Sequence, residues 1–140
     1  MHRVTRVASM VLLGAFSLST MAQGEVKVEK VTYYNLPNCY KLSNGTVEVI
    51  VTTDIGPRIM RYAFVGGENI LGELSPDIKV STELGDWRPY GGHRLWIAPE
   101  SKRLSYSPDN EPISFERVGN NGIRLLQPVE PKTGIRKEMT

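Results

Sequence analysis

The stretch NCYKLSNGTVEVIVT, residues 38–52, decides the fold. Its Asn44-Gly45 pair predicts a two-residue hairpin turn, because a type I′ turn needs positive φ at both central residues. Apolar and polar residues alternate on both sides of this turn, so one face of the hairpin is apolar. That face consists of two facing pairs, Leu42 with Val47 and Tyr40 with Val49, and is continued by Val51.

A further strand is predicted over residues 58–65, directly after the break at Gly56-Pro57. Both of its faces are apolar. One carries Met60, Tyr62 and Phe64, and the other carries Ile59, Ala63 and Val65. A strand that is apolar on both faces is typical of a sheet covered on both sides, as in a sandwich.

The rest of the chain is also divided into short segments by prolines and by turns that contain glycine. Nine prolines lie at or beyond position 37, and each would interrupt a helix. Residues 113–118 and 123–127 flank Gly119-Asn120-Asn121-Gly122 and predict another hairpin, and residues 26–34 predict one more strand. The secondary structure of residues 77–87 is ambiguous from the sequence. Residues 135–139 look like the beginning of a strand, which either closes the sheet or indicates that the chain stops within the fold. The chain is therefore expected to be all-β, an antiparallel β-sandwich.

The first 22 residues differ from the remainder and have the three parts of a secretory signal peptide. Arg3 and Arg6 precede an uncharged apolar run, and small residues end at Ala22. A membrane anchor or a buried helix is the alternative, but the run is shorter than the roughly 20 residues that span a bilayer. We expect cleavage after Ala22, no stable membrane insertion afterwards, and a periplasmic or secreted protein.

Cleavage would change the charge balance. It removes 22 of 140 residues, among them two of the 17 basic and none of the 15 acidic residues, so residues 23–140 are neutral. Neutrality argues against a nucleic-acid partner. The single cysteine, Cys39, excludes a disulfide framework and is interpreted as a small buried residue. No spacing of metal ligands and no phosphate-binding loop is present, so neither a metal nor a cofactor is expected.

The segment WRPYGGHRLWIAPE, residues 87–100, has the composition of a sugar site. Sugars present apolar ring faces and a rim of hydroxyls, which aromatic rings and charged donors or acceptors can bind. Trp87, Tyr90 and Trp96 are the candidate platforms, with Trp87 preferred over Trp96, and Arg94 and Glu100 are candidates for binding hydroxyls. The Gly91-Gly92 pair permits a sharp turn or a close backbone approach.

Other interpretations apply to several of these residues. His93 is a candidate for acid-base chemistry, although a lone histidine is more often structural. Trp96 lies in Leu-Trp-Ile and is interpreted as a core residue. Arg58, a further binding candidate, is alternatively a strand-initiating residue paired with Asp54. Asp109-Asn110 is interpreted as turn chemistry.

Two segments resemble a known family. NGTVEVIVTTDIGPRIMRYAFVGGENIL, residues 44–71, and YGGHRLWIAPE, residues 90–100, are similar to uncharacterised secreted bacterial proteins related to the galactose mutarotase-like (aldose 1-epimerase-like) proteins. The resemblance implies an antiparallel supersandwich that binds carbohydrate. Because that fold needs a longer chain, residues 23–140 are expected to be the N-terminal part of a larger domain.

The resemblance also implies roles for two residues. His93 corresponds to a general acid of ring opening, and Arg94 to a sugar-binding residue. The glutamate that acts as base late in such chains has no counterpart here, since Glu130 and Glu138 lie in different contexts.

Three functions remain open from the sequence. The first is non-catalytic carbohydrate binding. The second is an epimerase or mutarotase with His93 as general acid and a base outside this chain. The third is a structural or protein-binding β-domain.

Overall fold

The computed structural model describes residues 24–140, and the predicted leader lies outside them. The described residues form strands and loops without a helix, which confirms the all-β, antiparallel prediction. Within this part of the chain, no helix is long and apolar enough to cross a bilayer. The strands are β1 (Lys27–Tyr33), β2 (Leu36–Ser43), β3 (Val47–Thr52), β4 (Arg58–Phe64), β5 (Val80–Thr82), β6 (Gly85–Trp87), β7 (His93–Arg94), β8 (Ser114–Val118), β9 (Gly122–Leu126) and β10 (Glu138–Met139).

The largest sheet has five strands in the order β1-β2-β3-β4-β7, all antiparallel. Its first turn, between β1 and β2, is formed by Tyr34 and Asn35. Both residues have positive φ, 52° and 63°, as a type I′ turn requires. The strand predicted over residues 26–34 is thus confirmed, and the tight turn lies here and not at Asn44-Gly45.

The predicted β2–β3 hairpin is present, but its register was wrong. Leu42 faces Val49 and Tyr40 faces Val51, two residues further along β3 than expected. The reason is the Asn44 side chain, whose Oδ1 accepts hydrogen bonds from the backbone N–H groups of Thr46 (3.0 Å) and Val47 (2.9 Å) and so stabilises a longer loop. A shift of two residues preserves the side-chain alternation, so the predicted apolar face is correct.

Strand β4 follows the prediction at its start and departs from it at its end. Met60 is 1% exposed and Ala63 4%, but Phe64 is 71% exposed and Tyr62 45%. A bulge at Met60, which faces no single partner on β3, interrupts the ladder between Ile59 and Arg61. The prediction that β4 is covered on both faces therefore holds at its start and is wrong at Tyr62 and Phe64.

The second sheet has the order β10-β9-β8, and it packs on the apolar face of the β2–β3 hairpin. Val51, Ile123 and Leu125 form the buried centre of this contact. The Tyr40 ring stacks on Phe115, with centroids 4.0 Å apart and planes 8° apart. Two sheets packed through their apolar faces give the described part of the chain a sandwich-like character.

The remaining predictions concern short segments. The β8–β9 hairpin is confirmed, with Val118 facing Gly122. Residues 135–139 contribute only β10, which pairs with the edge of β9. The ambiguous region contains a small separate hairpin, β5–β6. Cys39 is fully buried, as predicted.

Candidate functional site

The Gly91-Gly92 pair allows the close backbone approach that the sequence predicted. Tyr90, Gly91 and Gly92 have φ values of 53°, 83° and 69°. A Cβ atom at Gly91 would collide with the carbonyl oxygen of Gly72, and one at Gly92 with that of Ile59. The chain therefore runs directly against β4 before it forms β7.

Strand β7 directs its two residues to opposite faces. Arg94 pairs with Arg58 and His93 pairs with Ile59, so the two arginines share one face and His93 points to the other. His93 is exposed, whereas Arg94 is buried. The two residues that the family resemblance singled out therefore do not face one common surface.

Arg58 is buried under the 89–91 loop, with 1% of its surface exposed. Its Nη1 donates to the carbonyl oxygens of Pro89 and Gly91, both at 2.6 Å, and its Nη2 donates to Asp109 Oδ2 at 2.8 Å. Its guanidinium lies 5.4 Å from the centre of the Tyr90 ring. The alternative pairing with Asp54 was wrong, since Asp54 accepts hydrogen bonds from Asn38.

Asp109 also faces Arg94, at 3.5 Å between Oδ1 and Nη1. Arg58, Arg94 and Asp109, hereafter the ion cluster, are each at most 4% exposed. Asp109 is thus a buried counter-ion, and its interpretation as turn chemistry was wrong. Burial lowers the pKa of Arg94; Asp109 acts to raise it and Arg58 to lower it further.

The ion cluster is incompletely satisfied. Arg94 donates one hydrogen bond, from Nη2 to the carbonyl oxygen of Ser107 at 3.3 Å. Its Nε and Nη1, the Nε of Arg58 and the Oδ1 of Asp109 have no hydrogen-bond partner within residues 24–140. Two cations share one carboxylate here, so Arg94 depends on other contacts for compensation.

Those contacts are aromatic. The Arg94 guanidinium lies 4.7 Å from the centre of the Trp96 ring and 5.8 Å from that of Trp87. Both distances are within the range of cation–π attraction. Arg94 therefore lies beneath the two indoles and joins them to the ion cluster.

Tyr106 completes the group of rings, and Trp87, Trp96 and Tyr106 are hereafter the aromatic cluster. Tyr106 meets Trp87 and Trp96 edge-on, with centroids 5.3 and 5.7 Å away, and the two indoles are 5.9 Å apart. Trp96 is 50% exposed, so its interpretation as a core residue was wrong. Trp87 is partly buried, and its Nε1 is buried without a partner among the described residues.

Glu100 lies at the edge of the aromatic cluster and accepts a short hydrogen bond from the Tyr106 hydroxyl. This bond raises the pKa of Tyr106 above its ordinary value. Beside the pair is a cleft of about 650 Å³, hereafter the cleft. It lies between residues 80–83 on one side and residues 100–102 with Tyr106 on the other.

The structure brings together some of the predicted site residues and adds two others. Trp87, Trp96 and Glu100 gather around Tyr106, and Arg94 lies beneath the two indoles. Arg58 lies under the 89–91 loop beside the Tyr90 ring, and His93 lies on the other face of β7. Tyr106 was not among the predicted residues and Asp109 was assigned to a turn, because both lie in a polar loop without periodicity. The one signal for Tyr106 was that it is the aromatic residue of the mostly polar KRLSYSPDN stretch, residues 102–110.

Among the residues that the structure describes, no three His, Cys, Asp or Glu side chains are grouped so that they could hold a metal ion. No family model matches the chain, and no curated protein or solved structure matches it significantly. The chemistry of the site must therefore be inferred from its own residues.

Proposed function

We propose that this chain is an exported carbohydrate-binding protein of the galactose mutarotase-like type, periplasmic or secreted. Export is supported by the leader-like residues 1–22, and the family by the two segments that resemble it. Antiparallel sheets packed face to face are compatible with part of a supersandwich.

The observation that carries the proposal is the half-exposed Trp96 ring beside the cleft, whose lining includes the side chains of Glu100 and Tyr106. A large apolar ring that remains accessible, surrounded by fixed polar groups, is the usual composition of a small-molecule site. The apolar face of a sugar ring would stack on the indole, and its hydroxyls would meet the Glu100 carboxylate and the Tyr106 hydroxyl. Aromatic rings also lose little conformational entropy on binding, since they have few rotatable bonds.

Arg94 has a different role in this proposal from the one the sequence suggested. Because it is buried, it would hold Trp87 and Trp96 in place and not touch the sugar. The platform would then be preorganised, which reduces the entropic cost of binding.

Calorimetric titration with a panel of neutral sugars tests the proposal. Trp96→Ala should weaken binding by about tenfold or more, because a central aromatic anchor contributes about 2 kcal/mol at such sites. Trp96→Phe should recover part of the loss, since it restores a ring.

Phe64→Ala is the matched control, because it removes an exposed ring on β4, outside the aromatic cluster. Its sugar affinity should equal that of the wild type. No heat with any sugar, or equal losses from Trp96→Ala and Phe64→Ala, would contradict the proposal and favour a structural or protein-binding domain.

An epimerase is the second candidate, and the exposure of His93 favours it, since a general acid must reach its substrate. Polarimetry of freshly dissolved α-glucose and α-galactose separates the two functions. A mutarotation rate that the wild type raises and His93→Ala lowers would indicate catalysis. A rate with the wild type no higher than in buffer, together with retained sugar affinity, would indicate that this chain binds sugar without catalysing mutarotation.

A further inference from the structure

The cleft is larger than one sugar ring needs. Small-molecule sites occupy about 300–1,000 Å³, and the cleft has about 650 Å³ without including the surface above Trp96. Its walls offer hydrogen-bonding groups on both sides, among them Ser81, Thr82 and Ser101. The platform and the cleft are therefore two places that a ligand could occupy.

Tyr106 belongs to both places. Its ring contacts Trp96 edge-on at 5.7 Å between centroids, and the residue also lines the cleft. A ligand stacked on Trp96 would therefore reach the cleft mouth at Tyr106. The Tyr106 hydroxyl is held there by its hydrogen bond to Glu100.

The charges around the cleft disfavour an acidic ligand. Glu83 and Glu100 line it together with one cation, Lys102. Asp86 lies next to Ser81, which lines the cleft. The Asp86 carboxylate accepts hydrogen bonds from the Ser81 hydroxyl at 2.7 Å and from the Lys79 ammonium at 2.9 Å. The carboxylates that line the cleft outnumber its lining cation, and the neighbouring Lys79 and Lys132 are held by Asp86 and by the Glu83 carbonyl oxygen. A uronate or a sulfated unit inside the cleft would therefore meet net repulsion from the lining.

We infer, on the premise of the proposed function, that the site takes an uncharged oligosaccharide of at least two units. One ring stacks on Trp96 and the adjoining unit enters the cleft past Tyr106. The two subsites act on one chain, so binding of the first unit positions the second.

Calorimetry with neutral gluco-, galacto-, manno- and xylo-oligosaccharides of one to four units tests the inference. For the series that binds, affinity should rise by about tenfold from one unit to two or three units and then level off, as contacts for a second ring are added. Oligogalacturonates of equal length should bind at least about tenfold more weakly, and Glu83→Gln should narrow that gap.

Val80→Met narrows the cleft without adding a ring or a charge, and Val129→Met is its control at an exposed valine elsewhere. Val80→Met should leave monosaccharide affinity unchanged and remove the gain with length, whereas Val129→Met should keep it. If binding depends on Trp96 but the affinity is equal for sugars of one and three units, or is higher for oligogalacturonates than for neutral sugars, this inference is overturned and the proposed function is not. No binding of any sugar would overturn the proposed function and the inference with it.

Discussion

Arg94 connects the buried charges of the molecule to its most accessible indole. A guanidinium this deeply buried needs compensation, and Asp109 provides only part of it because it also binds Arg58. The rings of Trp87 and Trp96 provide more, through their negative faces. The position of the exposed platform therefore depends on a charge balance beneath it.

Asp109→Asn should destabilise the protein strongly. The substitution leaves two buried guanidinium groups without a facing carboxylate, and breaking a buried ion pair by removing one partner costs about 3–5 kcal/mol. Urea unfolding followed by far-UV circular dichroism measures the change in the free energy of unfolding.

Glu116→Gln is the control for Asp109→Asn. Glu116 is exposed and lies 3.6 Å from Arg124, so its loss should change stability little, as for other surface ion pairs. Equal stabilities of the two variants would show that the ion cluster does not stabilise the fold.

Single residues in the loops were the hardest to predict from the sequence. Asp109 follows a proline and precedes an asparagine, which is the composition of a turn, and its burial depends on Arg58 and Arg94 from distant strands. Trp96 lies between two aliphatic residues, yet it is half-exposed because no element within residues 24–140 packs over it. Neither fact is encoded within the local sequence.

Elements were predicted better than residues because alternation is local. The β2–β3 hairpin has the apolar face that the sequence implied, since a register shift of two residues leaves every side chain on its own face. The shift itself came from the Asn44 side chain, which competes with the strand ladder for backbone N–H groups.

The connection between β9 and β10 is organised around Glu130. Its carboxylate accepts hydrogen bonds from Lys137 Nζ at 2.6 Å, Thr133 Oγ1 at 2.5 Å and Gln127 Nε2 at 3.2 Å. Burial acts to raise the pKa of Glu130, but hydrogen bonds from Lys137, Thr133 and Ser107 outweigh it, so the pKa lies below its ordinary value of 4.5. The ionised form is thus favoured by folding.

A lowered folded-state pKa gives a pH dependence with a definite sign. The stabilisation from Glu130 should be complete well above pH 4.5 and lost as the pH falls through 4.5 toward the folded-state pKa. Urea unfolding at pH 7 and pH 3.5 should show a smaller loss of stability in Glu130→Gln than in the wild type.

Some acid sensitivity should persist in Glu130→Gln, because the pKa values of Glu73, Asp86 and Glu138 are also lowered by hydrogen bonds. The variant should be less stable at pH 7, since Lys137 then lacks its buried partner. The same difference between pH 7 and pH 3.5 in both proteins would rule out a contribution of Glu130.

The two larger sheets meet at an apolar contact centred on Val51, Ile123 and Leu125, and the stacked Tyr40 and Phe115 rings belong to it. Phe115→Ala removes the ring stacked on Tyr40 and should lower the free energy of unfolding by about 2 kcal/mol, less than for a fully buried phenylalanine. Urea unfolding measures it, and Phe64→Ala, at an exposed ring, should change stability by no more than about 0.5 kcal/mol. A loss of stability from Phe64→Ala as large as that from Phe115→Ala would show that the stacked pair does not join the sheets.

For the whole molecule, the sequence predicted the all-β class and the alternation of apolar and polar residues along the strands. Both could be predicted because proline, glycine and period-two patterns recur along the chain. It could not predict how far the second sheet extends over the first. Tyr62 and Phe64 have the pattern of buried residues, but they lie beyond the contact made by β8, β9 and β10.

The arrangement of the aromatic cluster has an optical consequence. Both tryptophans of the protein lie in it, 5.9 Å apart, while the contact between the larger sheets contains only tyrosine and phenylalanine as aromatic residues. Indole emission therefore reports on the aromatic cluster and not on the contact between the larger sheets. The protein carries its own fluorescent probe at its candidate site, and no label needs to be attached to observe what binds there.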